Sequence, residues 1–180
     1  MLVNMNEIMK RAEDQGYAIA CINTPNHVTV RAVVDAAEEL GVPIIIDHAE
    51  VHNELVPIED IGPFMVEYAK KAKVPVCVHL DHGVSYDFVM KAVRTGFSSI
   101  MYDQSSLPFE ENIQRVKDFV KIAHPLGISV EGELGIMGST DEDEHGGEPM
   151  TNAQIRETFT DPEEARIFAE ETNCDALAVC

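Results

Sequence analysis

Cationic side chains are scarce here: 13 Lys and Arg stand against 32 Asp and Glu in 180 residues, a formal net charge of −19 at pH 7. A surface of that sign repels nucleic acid and anionic membranes, so neither is expected as a partner. It leaves a phosphorylated small molecule open, because helix N-termini and a few local cations bind phosphate whatever the global charge. Cysteine is sparse as well. Cys21, Cys77, Cys174 and Cys180 form no CxxC pair. They read as small buried apolar residues in a reducing, cytoplasmic setting. No apolar run is long enough to span a bilayer, and no signal-peptide pattern precedes the first predicted helix. No GxGxxG or Walker loop follows the first predicted strand, which weakens a nucleotide-binding reading.

What is present is an apolar fraction of 45%, enough for a single domain over residues 1–180 with a real core. Apolar runs alternate with amphipathic ones. Strands are predicted over 18–23, 42–47, 74–83, 98–103, 128–135 and 175–180. Helices are predicted over 5–14, 26–40, 59–73, 86–94, 108–123 and 162–172. Asn4 and Asn26 read as helix starts, and Gly16, Gly41 and Gly96 as stops. One βα unit after another predicts a parallel sheet built from right-handed crossovers. An open doubly wound sheet and a barrel both fit that pattern.

The polar residues of interest close the apolar runs. The run Val74-Pro75-Val76-Cys77-Val78 leads into His79-Leu80-Asp81-His82-Gly83. Titratable groups at the exit of a buried strand are costly unless they are satisfied or perform chemistry. An imidazole beside a carboxylate there can hold a metal or move a proton. The other strands end in Asn23, in Asp47-His48, in Asp103, and in Glu131 and Glu133. In α/β barrels that edge carries the active site. His82 suits a metal through an imidazole nitrogen. Asp103 and Glu133 suit it as oxygen ligands or as groups orienting the histidine. Asp81 is placed to move a proton at a developing alkoxide. Asn23 suits a substrate carbonyl or hydroxyl. Asp103 equally suits a cap on the following turn, and Asn23 an Asx-turn before Pro25. The polar stretch 138–147 is long enough to be a lid over the site or a solvated acidic loop.

Three motifs together resemble the class II, zinc-dependent ketose-bisphosphate aldolases, which include fructose- and tagatose-bisphosphate aldolases. They are His79-Leu80-Asp81-His82-Gly83, Ser98-Ser99-Ile100-Met101-Tyr102-Asp103 with Ser105-Ser106-Leu107-Pro108, and Val130-Glu131-Gly132-Glu133-Leu134-Gly135. The resemblance implies a (β/α)8 TIM barrel, here with six strands of eight. It implies a cytoplasmic lyase of carbohydrate metabolism that cleaves a ketose 1,6-bisphosphate to dihydroxyacetone phosphate and an aldehyde. It places Zn2+ on His82, with Asp103 and Glu133 taking an alternative or second cation, divalent or monovalent. Asp81 matches the proton donor at the aldehyde-derived oxygen, and Asn23 a substrate contact. Asp141 falls where the family carries a glutamate that abstracts the substrate proton. Members tend to be dimers or tetramers, so a homo-oligomer is implied.

The departures from the family also bear on function. Aspartate at 141 is one methylene shorter than the family's glutamate. Asp47-His48-Ala49-Glu50 stands where better-known members carry smaller polar residues, which points to a different sugar stereochemistry or a non-standard substrate. The family's second and third zinc histidines and its phosphate-binding segments do not occur in these 180 residues. One alternative is therefore a truncated, non-catalytic chain that binds metal or a partner subunit. Another is a metal-dependent hydrolase or isomerase on the same scaffold.

Overall fold

The computed structural model describes residues 1–135 and 159–180. Its elements follow in chain order: β1 (Leu2–Val3), α1 (Met5–Gln15), β2 (Cys21–Asn23), α2 (His27–Leu40), β3 (Ile44–Ala49), α3 (Ile58–Lys71), β4 (Val76–Gly83), α4 (Tyr86–Thr95), β5 (Ser99–Tyr102), α5 (Phe109–Ala123), β6 (Ser129–Leu134), α6 (Pro162–Thr172) and β7 (Ala176–Val179). A 3-10 turn, Glu50–Glu54, follows β3. The stretch 136–158, with Asp141 and the polar segment 138–147, lies outside the described residues.

Helix boundaries follow from capping chemistry. Asn4 accepts the Glu7 N–H at 3.1 Å and starts α1. Asn26 and Thr29 form a reciprocal capping box on α2. Asp161 caps α6, with Pro162 at the first helical position, where a missing N–H costs nothing. Gly16, Gly41 and Gly96 end α1, α2 and α4 in the left-handed conformation. No helix among the described residues is long and apolar enough to cross a membrane.

Six strands pair in the order β2-β3-β4-β5-β6-β7, and every pairing is parallel. The sheet departs from the sequence expectation in three ways. Strand β2 begins at Cys21, three residues later than the apolar pattern suggests. Strand β3 continues to Ala49, so Asp47 and His48 are buried inside it and do not close it. The short β1 was not expected. It pairs with the base of β4, Leu2 opposite Val76 and Val3 opposite Cys77, below the point where β5 begins to pair.

The two faces of the sheet bury different things. The outer face packs against the helices, with Ile46, Val78, Leu80, Ile100 and Val130 meeting residues such as Met65, Val89, Phe119 and Phe168. The inner face is apolar at its base, where Met5 and Ile8 of α1 meet Ile45 and Cys77. Helix α1 thus plugs the bottom of the curved sheet. Toward the C-terminal ends of the strands the inner face turns polar: Asp47, His79 and Ser99 lie on one register line, with Asp81, Glu131 and Glu133 above. Only Cys77 of the four cysteines is fully buried. Cys174 and Cys180 are half-buried and Cys21 is exposed on the β2 edge, so the expectation of four buried cysteines holds for one. An apolar cleft of about 570 Å3 lies beside that edge, between Ile19, Ile22, Val33 and Leu40.

One irregularity shapes the top of the sheet. In β4 and β5, Leu80 pairs with Ile100 and Gly83 with Tyr102, so two residues of β4, Asp81 and His82, oppose the single residue Met101. This is a β-bulge. In a regular strand, neighbours point to opposite faces. Here the extra residue is absorbed at His82, whose φ of 43° lies in the left-handed region. Leu80 and Gly83 both face the helices. A Cβ built on Gly83 would lie 2.7 Å from Leu80 Cδ2, 2.7 Å from Val89 Cγ1 and 2.9 Å from the Met101 carbonyl oxygen. Only glycine fits where the bulged strand folds back onto its own outer face. Gly83→Ala should therefore lower unfolding free energy by about 1–3 kcal/mol through overpacking. Urea denaturation measures this, and a change under about 0.5 kcal/mol would contradict the tight approach, that being the usual range for surface sites.

Candidate active site

The bulge brings two consecutive side chains, Asp81 and His82, to the inner rim. His82 Nδ1 lies 2.8 Å from Asp103 Oδ2 at the exit of β5 and 3.7 Å from Glu133 Oε2 on β6. On the other side of the ring, Nε2 lies 4.0 Å from Asp81 Oδ1. One donor atom from each of His82, Asp103 and Glu133 falls within 4.8 Å of the others. The strands β4, β5 and β6 that carry them are neighbours in the sheet.

Asp103 does both things its position suggests. Its Oδ1 accepts from the Ser105 N–H at 3.0 Å and the Ser105 hydroxyl at 2.7 Å, an Asx-type cap on the turn that follows. Its Oδ2 meets His82. Turn and ligand use different oxygens of one carboxylate, so the two readings are compatible. The cap fixes the plane in which the second oxygen faces the imidazole.

The charges are strongly coupled. The hydrogen bond to Asp103, opposed by burial and aided by Asp81 and Glu133, raises the His82 imidazole to about 9. Burial opposes ionisation of Asp103, but hydrogen bonds from His82 and Ser105 outweigh it and its carboxyl titrates below the usual range. Burial, with Asp103 nearby, pushes Glu133 up. The surrounding carboxylates therefore favour a positive charge at the position of His82. A divalent cation suits the same donors: one borderline imidazole nitrogen and two hard carboxylate oxygens, a set that leaves coordination positions for substrate.

Below the rim lies a second polar layer. His79 is fully buried, with Nδ1 2.9 Å from the Ser99 hydroxyl and Nε2 3.3 Å from Glu131 Oε2. Burial lowers the His79 imidazole to about 3 and raises the Glu131 carboxyl to about 7, so it drives both members toward their uncharged forms. Asp47, on the same layer, accepts from the Cys21 thiol at 3.0 Å, and burial raises its carboxyl to about 6. Although the residue is exposed at the sheet edge, its thiol turns inward onto Asp47, and desolvation there together with that carboxylate pushes it well above its ordinary range, which leaves it a donor and not a nucleophile. His48 points to the outer face, in register with Leu80, and is absent from the rim.

The five residues expected to share one rim thus divide. Asp81, His82, Asp103 and Glu133 converge. Asn23 ends β2 in register with Asp47, and among the described residues no hydrogen bond joins it to the cluster. Sequence reading missed Ser99, Ser105 and Gln104 as supports. The signal available for Ser105 was its place two residues after an aspartate, the spacing of an Asx-turn.

The buried acids set a pH dependence. A carboxyl raised above its unfolded value stabilises the fold below that unfolded value and loses this contribution as pH rises through the folded one. For Glu131 the window runs from 4.5 to about 7. Glu131→Gln keeps the shape and removes the titration. Relative to this variant, the unsubstituted chain should lose on the order of 3 kcal/mol of stability between pH 4.5 and 7. Parallel denaturation curves across that range test it, and equal slopes would show that Glu131 is not held in its uncharged form.

The sequence model of the family described as "Fructose-bisphosphate aldolase class-II" matches residues 3–180. The fructose-bisphosphate aldolase of Thermus caldophilus is 41% identical over 179 residues, and the protein YdjI of Escherichia coli strain K12 is 40% identical over the same number. Each alignment covers 99% of this chain, which spans 56% and 62% of the lengths of those relatives. The crystal structure of the YdjI aldolase from Escherichia coli K12 superposes with a TM-score of 0.85 at 38% identity, covering all of this chain and 60% of that one. A crystal structure from Coccidioides immitis shares the fold alone, with a TM-score of 0.81 at 24% identity, covering 98% of this chain and 60% of that one. The six parallel strands and their helices correspond to part of the TIM barrel of these aldolases. A family match over nearly the whole sequence, at a site built from the motifs that carry the likeness, places the chain among the class II fructose-bisphosphate aldolases.

Proposed function

We propose that the chain serves a metal-dependent aldolase that reversibly cleaves a ketose 1,6-bisphosphate, fructose or tagatose, to dihydroxyacetone phosphate and an aldehyde. The observation that carries this reading is the convergence of His82, Asp103 and Glu133 around one point, with Asp81 against the same imidazole. Family membership supports the lyase chemistry. The phosphorylated substrate, zinc as the cation, a cytoplasmic setting and a homo-oligomeric assembly belong to the proposal and follow from the family likeness.

The residues divide the work by position. His82, Asp103 and Glu133 would hold the cation. Once bound, it supplies a Lewis acid that withdraws electron density from the substrate ketone and its neighbouring hydroxyl. Asp81 takes the proton of the hydroxyl on the carbon that becomes the aldehyde. As the carbon–carbon bond breaks, its electron pair passes toward the ketone carbon, and the aldehyde carbonyl forms. In the reverse direction Asp81 returns that proton to the new alkoxide. The proton on the carbon adjoining the ketone is assigned to Asp141, which lies outside the described residues. Asn23, at the edge of the same sheet, is assigned to substrate hydrogen bonding.

The chemistry is tested by coupled assay of fructose and tagatose 1,6-bisphosphate cleavage with and without a chelator. Activity should vanish on chelation and return with zinc. Asp81→Asn should lower kcat by about 10²–10⁴ with metal affinity kept, the range for loss of one acid–base group. His82→Ala should lose metal and activity together. Cleavage that survives chelation would refute metal dependence. Metal uptake without any turnover would favour the binding-only alternative.

A further inference from the structure

The left-handed backbone at His82 needs explaining beyond the presence of the bulge. A residue with a Cβ persists there only where its surroundings over-determine it. The turn that follows, Gly83-Val84-Ser85, is held from two sides. From the β3 side, Glu50 Oε2 accepts the Val84 N–H at 2.7 Å and the Ser85 N–H at 3.1 Å, and Oε1 accepts the Ser85 hydroxyl at 2.7 Å. Ser85 is also the N-cap of α4, so the same carboxylate ties the start of that helix to the turn after β3. From the β5 side, the buried Gln104 donates through Nε2 to the Val84 carbonyl at 2.9 Å, and the Asp103 N–H donates to the Gly83 carbonyl at 3.0 Å. Arg115 of α5 donates to Gln104 Oε1 at 3.3 Å and orients its amide.

We propose that Glu50 is a positioning residue: with Gln104 it clamps the turn after β4 and thereby holds His82 in the left-handed bulge that aims its ring at Asp103 and Glu133. The inference rests on the metal-site reading above and extends it to a residue that touches neither substrate nor cation. Both carboxylate oxygens are committed to N–H and O–H donors of the turn, so Glu50 is not itself offered as a ligand. The clamp joins the loops after β3, β4 and β5, so the imidazole and the Asp103 carboxylate are set against one another through a single hydrogen-bonded path. Glu54, at the end of the same 3-10 turn, is exposed, and none of these bonds involves it. It carries the same charge and serves as the control.

The test uses the full chain and three substitutions. Glu50→Gln offers an amide where two oxygens are needed, Glu50→Asp keeps the charge but loses the reach, and Glu54→Gln removes an equal charge without touching the turn. Three readouts are taken well below each variant's melting temperature: amide exchange at Val84 and Ser85, the 13Cα shift of His82, and cobalt(II) affinity by calorimetry with His82→Ala as the blank. Both Glu50 variants should raise exchange at the two amides, move the His82 shift off its left-handed value, and weaken cobalt binding about 10–100-fold, the range for groups that orient a ligand. Glu54→Gln should stay within about twofold of the unsubstituted chain, as expected for an exposed charge screened by solvent. Unchanged His82 shift and cobalt affinity in the Glu50 variants would overturn the proposal, and so would equal losses in Glu54→Gln, which would assign the effect to charge. If the unsubstituted chain binds no cobalt beyond the His82→Ala blank, the metal reading fails separately. The His82 shift then decides alone whether Glu50 sets that backbone.

Discussion

Two adjacent residues on one face of a strand violate the pleat, and the chemistry at the rim depends on that violation. In a regular β4 Asp81 would face the interior and His82 would face the helices with Leu80. The bulge opposite Met101 turns His82 inward. The groups proposed to move a proton and to hold the cation then come from consecutive positions, with Asp81 and Asp103 on opposite edges of the His82 imidazole. Gly83 permits this by having no Cβ where the outer face closes up. The local cost is a left-handed histidine, and the compensation is the set of hydrogen bonds that the neighbouring loops give to the turn beyond it. Function here is tied to a departure from ideal geometry that the surroundings hold in place.

The electrostatic logic follows from the same placement. Carboxylates from three strands point into one curved face, which would repel one another if nothing positive stood between them. His82 stands among them, and their proximity raises its imidazole to about 9. The layer beneath solves the problem differently. His79 and Glu131 are driven by burial toward neutrality, so they add hydrogen bonds and little charge under the site. Burial pushes the lower groups toward their uncharged forms, which limits the negative charge the interior must hold beneath the rim carboxylates.

Most of the fold was legible because each local signal agreed with its neighbours. Asn4 and Asn26 are caps where the sequence places them, and Gly16, Gly41 and Gly96 are stops. Strand exits were read correctly at Asp81-His82, Asp103 and Glu133, since an apolar run that ends in a titratable residue marks the rim of a parallel sheet. Asp47-His48 is the exception for a physical reason: a polar pair signals a strand end, but the sheet pairs through Ala49 and buries both. Neither the bulge nor the clamp was visible. A bulge depends on the register between two strands, and Glu50 reaches residues 34 and 35 positions away. Strand β1 escaped because two residues carry no periodicity to detect.

The grouping of donors also explains why the cluster forms while Asn23 stays apart. His82, Asp103 and Glu133 sit on β4, β5 and β6, which are successive in both sequence and space. Adjacent strands lie about 4.8 Å apart, so side chains that leave neighbouring strand ends on the same face meet without help from distant parts of the barrel. The donor atoms of the cluster span no more than that spacing. Asn23 is two strands removed from β4, on an edge strand with a partner on one side only among the described residues. Its approach to the site depends on sheet curvature, which accumulates across strands, and the cluster depends only on nearest-neighbour pairing. A site of this kind can place its charged groups locally and leave substrate contacts to long-range closure. The charged cluster and the Asn23 edge are then separable features of the same sheet, one set by neighbour pairing and the other by accumulated curvature.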